Sequence, residues 1–403
     1  MRDPGWSYTG PPATGPWGAE PQVPRSWVPV PAPPVRPAQR APQPSSPVRG
    51  RPVTPPGLPP FDTPQPYARL MRARDWAWWR PLLGLLMFVV LYAVASVVVV
   101  VAALLTGLVP VADLLELTDP GVLLLTNLSL VVAIPIVWAA WAVAHGSGRG
   151  WSSSVTKALR RRLLLPFTWR ALATIGVGAA VTIGLTLLEP GTTTTGPVPG
   201  YGWLLVVVLL TTPLQSAAEE YVFRGYLSQT IAAWCRTERT GAVVAAVLTA
   251  ALFSAAHAPP DVLTFADRFV FGLAASWVTR LTGGLEAAIV LHAVNNVVVF
   301  VLAGAVGGGV TTAMPPVGVF LLVVLLDVVF MGAYVALVAA ARRTLAPELV
   351  SPAVDLRGAA GADRQPGQPG WQPTWVPAPP LPPPGPSATV PEPDARWSRQ
   401  GGA

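Results

Sequence analysis

The chain has 403 residues, of which 52% are hydrophobic and only 12% charged, with 48 prolines and a net charge of +7. An ordinary soluble domain is about one quarter charged, so a single such domain is excluded. The prolines are segregated, with 21 in residues 1–80 and 13 in residues 351–403, which leaves a middle far more apolar than the average. Positive charge comes from arginine, Lys157 being the sole lysine, and lies in the tails and at the ends of apolar runs. That placement suits a lipid bilayer and argues against nucleic acid, since no basic stretch has the interleaved aromatics of a base-stacking surface. One cysteine, Cys235, excludes an internal disulfide and a multi-cysteine zinc site, and reads as a small buried apolar residue.

Residues 1–80 cannot build a core, because proline removes backbone donors and apolar periodicity is missing. They read as a disordered Pro-rich cytoplasmic tail with polyproline II character, and residues 346–403 as a second tail of the same kind. Both carry PxxP-like spacings and tryptophans that could dock partners that bind polyproline II, although a solvated linker is the simpler reading. The first apolar run starts near residue 81, too late and too long for a cleaved signal, so the N-terminal tail is expected to be retained.

Residues 81–345 read as an all-α, polytopic membrane domain. Apolar runs long enough to cross about 30 Å of hydrocarbon extend over approximately Leu82–Leu108, Val122–Val143, Ala171–Leu188, Trp203 into the 220s or beyond, Ala242–Ala256, Leu285–Leu302 and Val317–Ala341. A shorter run, Phe269–Leu281, brings the expectation to eight spans. Arginines before the first span, between the second and third, after the fourth and at the ends of the sixth and eighth predict cytoplasmic loops there. The intervening loops, PVADLLELTDP and EPGTTTTGPVPG, are acidic or nearly uncharged. The expectation is a multi-pass protein of the cell membrane with both termini cytoplasmic.

Charged groups at membrane depth cost about 2.5–3.5 kcal/mol each on insertion scales, which makes them functional candidates. The first break in the apolar pattern is SAAEEYVFRGYL. Glu220 and Arg224 are four residues apart on a helix and can pair, whereas Glu219 points about 100° away and lacks that partner. The second break is His257, one turn after Phe253 in LFSAAHAPP. The third is His292 in LHAVNN, with Asn296 on its helix face and Asn295 turned away toward a packing role. His145, beside a Gly-Ser-Gly-Arg loop, and Glu286, at a span end, read as interfacial. Asp327, near the middle of the last span, reads as a structural partner of an arginine or of backbone donors.

A hairpin brings two of the breaks together. With a turn centred near Glu238, Glu219 lies 19 residues before it and His257 lies 19 after. Antiparallel helices place such residues at one level. This requires the fourth helix to run unbroken beyond Tyr226. A carboxylate beside an imidazole can hold and deprotonate a water, and a second histidine with an asparagine one turn away offers donors to a developing oxyanion. These are the parts for hydrolysing an acyl bond such as a peptide; no serine or cysteine stands out as a nucleophile.

The motifs EEYVFR at 219–224, FSAAH at 253–257 and HAVNN at 292–296 resemble the EExxxR, FxxxH and HxxxN signature of the CPBP family, the CAAX-processing and bacteriocin-processing intramembrane proteases that include the Rce1-type prenyl-protein endopeptidases. The resemblance covers residues 200–303. It implies an eight-helix fold with a site within the bilayer, open to cytoplasm and lipid, and a peptide or membrane-protein substrate, prenylated in the CAAX branch. It further implies that Glu219 and His257 activate water, that His292 and Asn296 form the oxyanion hole, and that Glu220 and Arg224 support the first group. Two histidines and a glutamate could also hold a divalent metal such as zinc. The HExxH arrangement is missing, however, and a glutamate mechanism accounts better for Asn296, so no obligatory cofactor is expected. The alternatives are a non-catalytic membrane scaffold or an immunity protein retaining the fold, and a transporter, which would need polar residues tracking through several helices.

Overall fold

The computed structural model of the chain describes residue 54 and residues 57–107, 116–188, 194–307, 317–356 and 375–376. Among these, eight helical spans are long and apolar enough to cross a bilayer. They are α1 (Arg80–Thr106), α2 (Pro120–Val131) with α3 (Ala133–His145), α4 (Arg161–Ala171) with α5 (Val177–Leu187), α6 (Tyr201–Val222) with α7 (Ser228–Trp234), α8 (Glu238–Ala256), α9 (Val262–Thr282), α10 (Glu286–Val306) and α11 (Val317–Leu345). The expected spans are all present, and the short one, Phe269–Leu281, is the core of the full-length α9.

The differences have local causes. Pro135 has no N–H to donate to the carbonyl of Val131, and the second span breaks there into α2 and α3. The third span begins at Arg161 rather than Ala171, because α4 is amphipathic: Leu163, Phe167 and Ala171 form a buried stripe four residues apart while Arg161 and Arg162 face outward. A search for uniformly apolar runs passes over such a helix. The fourth span runs through Tyr226 to Trp234, as the hairpin requires, with one wide π-type turn at Phe223–Leu227. The freed backbone is used: the Gly225 carbonyl accepts from Trp141 Nε1 and from Gln229 Nε2, each at 3.3 Å.

Residues 57–79, assigned by composition to the Pro-rich tail, are folded against the bundle. Phe61, Tyr67, Leu70, Met71 and Ala77 are buried, with Phe61 set edge-on to Trp151 at 5.1 Å. Arg69 donates to the carbonyls of Ala232 (3.1 Å) and Cys235 (2.8 Å), and Arg72 to that of Ala233 (2.6 Å). These acceptors lie at the C-terminal end of α7, where helical carbonyls run short of intrahelical donors, Ala232 O accepting only the C-cap bond from Cys235 N at 3.2 Å. The segment after α11 joins from the other side. Val354 N donates to Phe61 O at 2.9 Å, and Arg74 bonds Asp62 at 2.6 Å and Val354 O at 2.5 Å. A small antiparallel pair, β1 (Ala353–Val354) with β2 (Trp375–Val376), follows. The folded unit thus begins well before residue 81 and continues past residue 345. The remainder of both Pro-rich tails lies outside the described residues.

Glu286 is the first residue of α10. It is fully buried and forms a two-pronged ion pair with Arg160, Nε to Oε1 at 2.9 Å and Nη2 to Oε2 at 2.7 Å. Burial would lower the pKa of Arg160; hydrogen bonds and charge from Glu286 and Glu348 outweigh it and hold the guanidinium above its ordinary value. His145 is likewise buried, its Nε2 lying 3.2 Å from the Tyr226 hydroxyl.

Candidate active site

Four helices build the polar centre. α6 supplies Gln215, Glu219 and Glu220, with Arg224 in the wide turn that follows; α8 ends at His257; α10 supplies His292, Asn295 and Asn296; α9 closes the remaining side. α8 stops at His257 because the chain turns at Ala258, at φ +43°, and Pro259 and Pro260 follow. Cys235–Thr237 is the hairpin turn, and Thr237 caps α8 by accepting from Thr240 N.

The hairpin brings Glu219 and His257 together, with Oε2 and Nε2 3.6 Å apart. His292 joins them, its Nε2 3.8 Å from the same oxygen. The tautomers follow from the other nitrogens. His257 Nδ1 lies 2.8 Å from the Phe253 carbonyl, which only accepts, so Nδ1 carries the proton and the neutral ring turns a lone pair toward Glu219. His292 Nδ1 lies 3.0 Å from Glu220 Oε1, a carboxylate, with the same result. Three acceptors therefore converge, and none of them can donate to another unless a ring is protonated. Glu219 Oε2 is left buried without a hydrogen-bond partner.

Glu220 does not act only as a clasp for Arg224. Its Oε1 accepts from Arg224 Nη1 at 2.9 Å while also holding His292. Arg224 is buried, donates through Nη2 to the Gly272 carbonyl of α9 at 3.0 Å, and lies 4.9 Å from the centre of the Phe253 ring. Phe253 packs against both imidazoles, at 4.5 Å from His257 and 5.6 Å from His292. One guanidinium and one phenyl ring thus tie the three motifs together.

Gln215 was not anticipated, although a polar side chain one turn before Glu219 on an apolar helix is a readable signal. It is buried, donates to Glu219 Oε1 and accepts from Asn296 Nδ2 at 3.3 Å. Asn295 donates to Asn296 Oδ1 at 3.2 Å.

The centre lines a cavity of about 360 Å³. Glu220 and Arg224 are sealed beneath it, His292 lines it although almost wholly buried, and the His257 side chain, 32% exposed, marks the open side. Asp267 and Asp327 line the same cavity, and Asp327 is met by Thr182 Oγ1 at 3.5 Å rather than by an arginine. Two imidazoles and a carboxylate are a donor set that zinc accepts. Among the described residues, though, no group of three or more His, Cys, Asp or Glu is arranged so as to hold an ion. The chemistry available to these side chains themselves is hydrogen bonding to a water and transfer of its proton.

Residues 201–298 match the family model described as Rce1-like, type II CAAX prenyl endopeptidase. The match takes in all three motifs and supports assignment to the CPBP/CAAX protease family. No curated protein and no solved structure matches the chain.

Proposed function

We propose that the chain is an intramembrane endopeptidase of the CAAX type that hydrolyses a peptide bond with a water activated by Glu219 and His257. The observation that carries this reading is the convergence of bare acceptors on one point: Glu219 Oε2 and His257 Nε2 face each other with neither donating. A water placed between them donates one hydrogen to each and presents its own lone pair to a carbonyl carbon. Attack forms the C–O bond as the water's proton passes to Glu219. The tetrahedral oxyanion is met by Asn296 Nδ2, which has a second hydrogen beyond the one given to Gln215, and by His292 Nε2 when that ring is an imidazolium. Collapse breaks the C–N bond, and Glu219 returns its proton to the leaving amine. Glu220 and Arg224 set the tautomer and position of His292.

The substrate in this reading is a membrane-anchored peptide, prenylated near its C-terminus. Its apolar anchor would share the bilayer with the helices, and the open side at His257 would admit the scissile segment. The arginine placement supports a cell-membrane orientation with both termini cytoplasmic, and protease protection of tagged termini on sealed vesicles checks it.

The test uses purified full-length protein in nanodiscs and a quenched fluorescent peptide ending in a farnesylated Cys-aliphatic-aliphatic-X sequence. Glu219→Gln and His257→Ala should each lower kcat by about 10²–10⁴-fold with unfolding temperature preserved. Wild-type rates in either variant would refute the mechanism. Cleavage that survives chelation, with the metal content of the washed protein measured alongside, assigns the chemistry to the glutamate; cleavage lost on chelation and restored by zinc assigns it to a metal.

A further inference from the structure

The three amides and one carboxylate along the α6–α10 seam form a directed chain. A carboxylate only accepts, so the Gln215 amide must turn its NH₂ toward Glu219 Oε1. Its carbonyl oxygen then faces α10, where it accepts from Asn296 Nδ2 at 3.3 Å and, on its own helix, from Ser216 Oγ at 3.3 Å. With its NH₂ committed in that direction, Asn296 turns Oδ1 toward Asn295, which donates at 3.2 Å. Asn295 thus donates to Asn296, Asn296 to Gln215 and Gln215 to Glu219. The charge at one end fixes the flip of every amide behind it.

We infer that Gln215 is a positioning residue for the hydrolysis, acting through Glu219 and Asn296 at once; the inference rests on the proposed function. Toward Glu219, it occupies Oε1 and so leaves Oε2 as the oxygen that faces both imidazoles. Toward Asn296, it holds one amide hydrogen and aims the other at the cavity that all three residues line. Without it the carboxylate could rotate about its terminal bond and the asparagine could flip its oxygen toward a developing oxyanion, which would repel it. Gln215 is buried and one turn from Glu219, so its reach is set by the helix rather than by a loop.

The experiment compares Gln215→Met, which keeps length and volume but has no donor or strong acceptor, with Gln215→Glu, Asn296→Ala and the Met/Ala double variant, on the farnesylated peptide in nanodiscs. Gln215→Met should lower kcat about 10–100-fold while KM stays within about twofold, because ill-aimed catalytic groups leave peptide binding intact. The double variant should be little worse than the worse single, since both substitutions break one chain. Should Gln215→Met fail to fold, Gln215→Glu keeps the shape and places a second carboxylate against Glu219, and the same loss of kcat is expected. A purely structural role would reduce yield or unfolding temperature and leave kcat per folded molecule unchanged. A kcat within twofold of wild type, or losses that multiply in the double variant, overturns the inference. Wild-type behaviour of Gln215→Met beside an inert Glu219→Gln defeats this inference alone; an inert wild-type protein counts against the proposed function and this inference together.

Discussion

α1 and α10 are both apolar enough to span a bilayer, yet none of the most apolar stretch of α1 is buried against protein and 44% of that of α10 is. α1 presents Val94, Val97, Val98 and Val101 outward, and α10 turns His292 and Val294 inward against its neighbours. Apolarity therefore reports that a helix can sit in lipid and says little about what it faces. Inside a bilayer, a lipid tail and a leucine are equivalent neighbours for an apolar side chain, so selection for burial leaves little trace in hydropathy. The trace it does leave is the rare polar residue, and α10 has three in the span of one turn and a half.

Substitutions in the two settings should differ in kind. The largest effect is expected for Arg224→Met. It leaves Glu220 buried with only His292 and removes one donor from the Gly272 carbonyl, which keeps Ser276 Oγ at 2.9 Å, and should cost about 3–5 kcal/mol in unfolding measured in detergent. A loss below about 1 kcal/mol would mean that His292 alone neutralises Glu220. Gly272→Ala should come next. An added Cβ would lie 2.8 Å from Ala250 Cα on α8 and 3.3 Å from Arg224 Nη2, an overpacking that should cost about 1–3 kcal/mol and displace the guanidinium. An unfolding temperature equal to wild type would show that α8 and α9 can part without loss. Val97→Ala on α1, where the side chain is 62% exposed, should change stability by less than about 0.5 kcal/mol. A loss comparable to that of Gly272→Ala would show that this face of α1 is covered by another protein surface and not by lipid.

Much of the site was legible from one sequence because its geometry is helical. A four-residue spacing put Glu220 beside Arg224, and equal distances from one turn put Glu219 level with His257. What escaped notice depends on pairings that no period encodes. Glu286 is neutralised by Arg160, 126 residues earlier, and Arg74 bonds the carbonyl of Val354, 280 residues later. The folded segment before α1 was hidden for another reason: Phe61, Tyr67 and Leu70 sit at irregular intervals among prolines, and an average over that composition erases them. Gln215 carries no charge and lies outside the three signatures, yet it obeys the same four-residue rule.

The meeting of residues 57–79 with residues 350–354 has a consequence for biosynthesis. Arg69 and Arg72 can close the end of α7 only after residue 235 has been made, and Arg74 and Phe61 acquire their last partners only when residue 354 leaves the ribosome. The helices can insert one after another, but this end of the bundle must wait, its early segment held open through most of translation, for a strand from the far end of the chain. A ribosome stalled short of that strand would therefore release a molecule with a complete polar centre and an unfinished base.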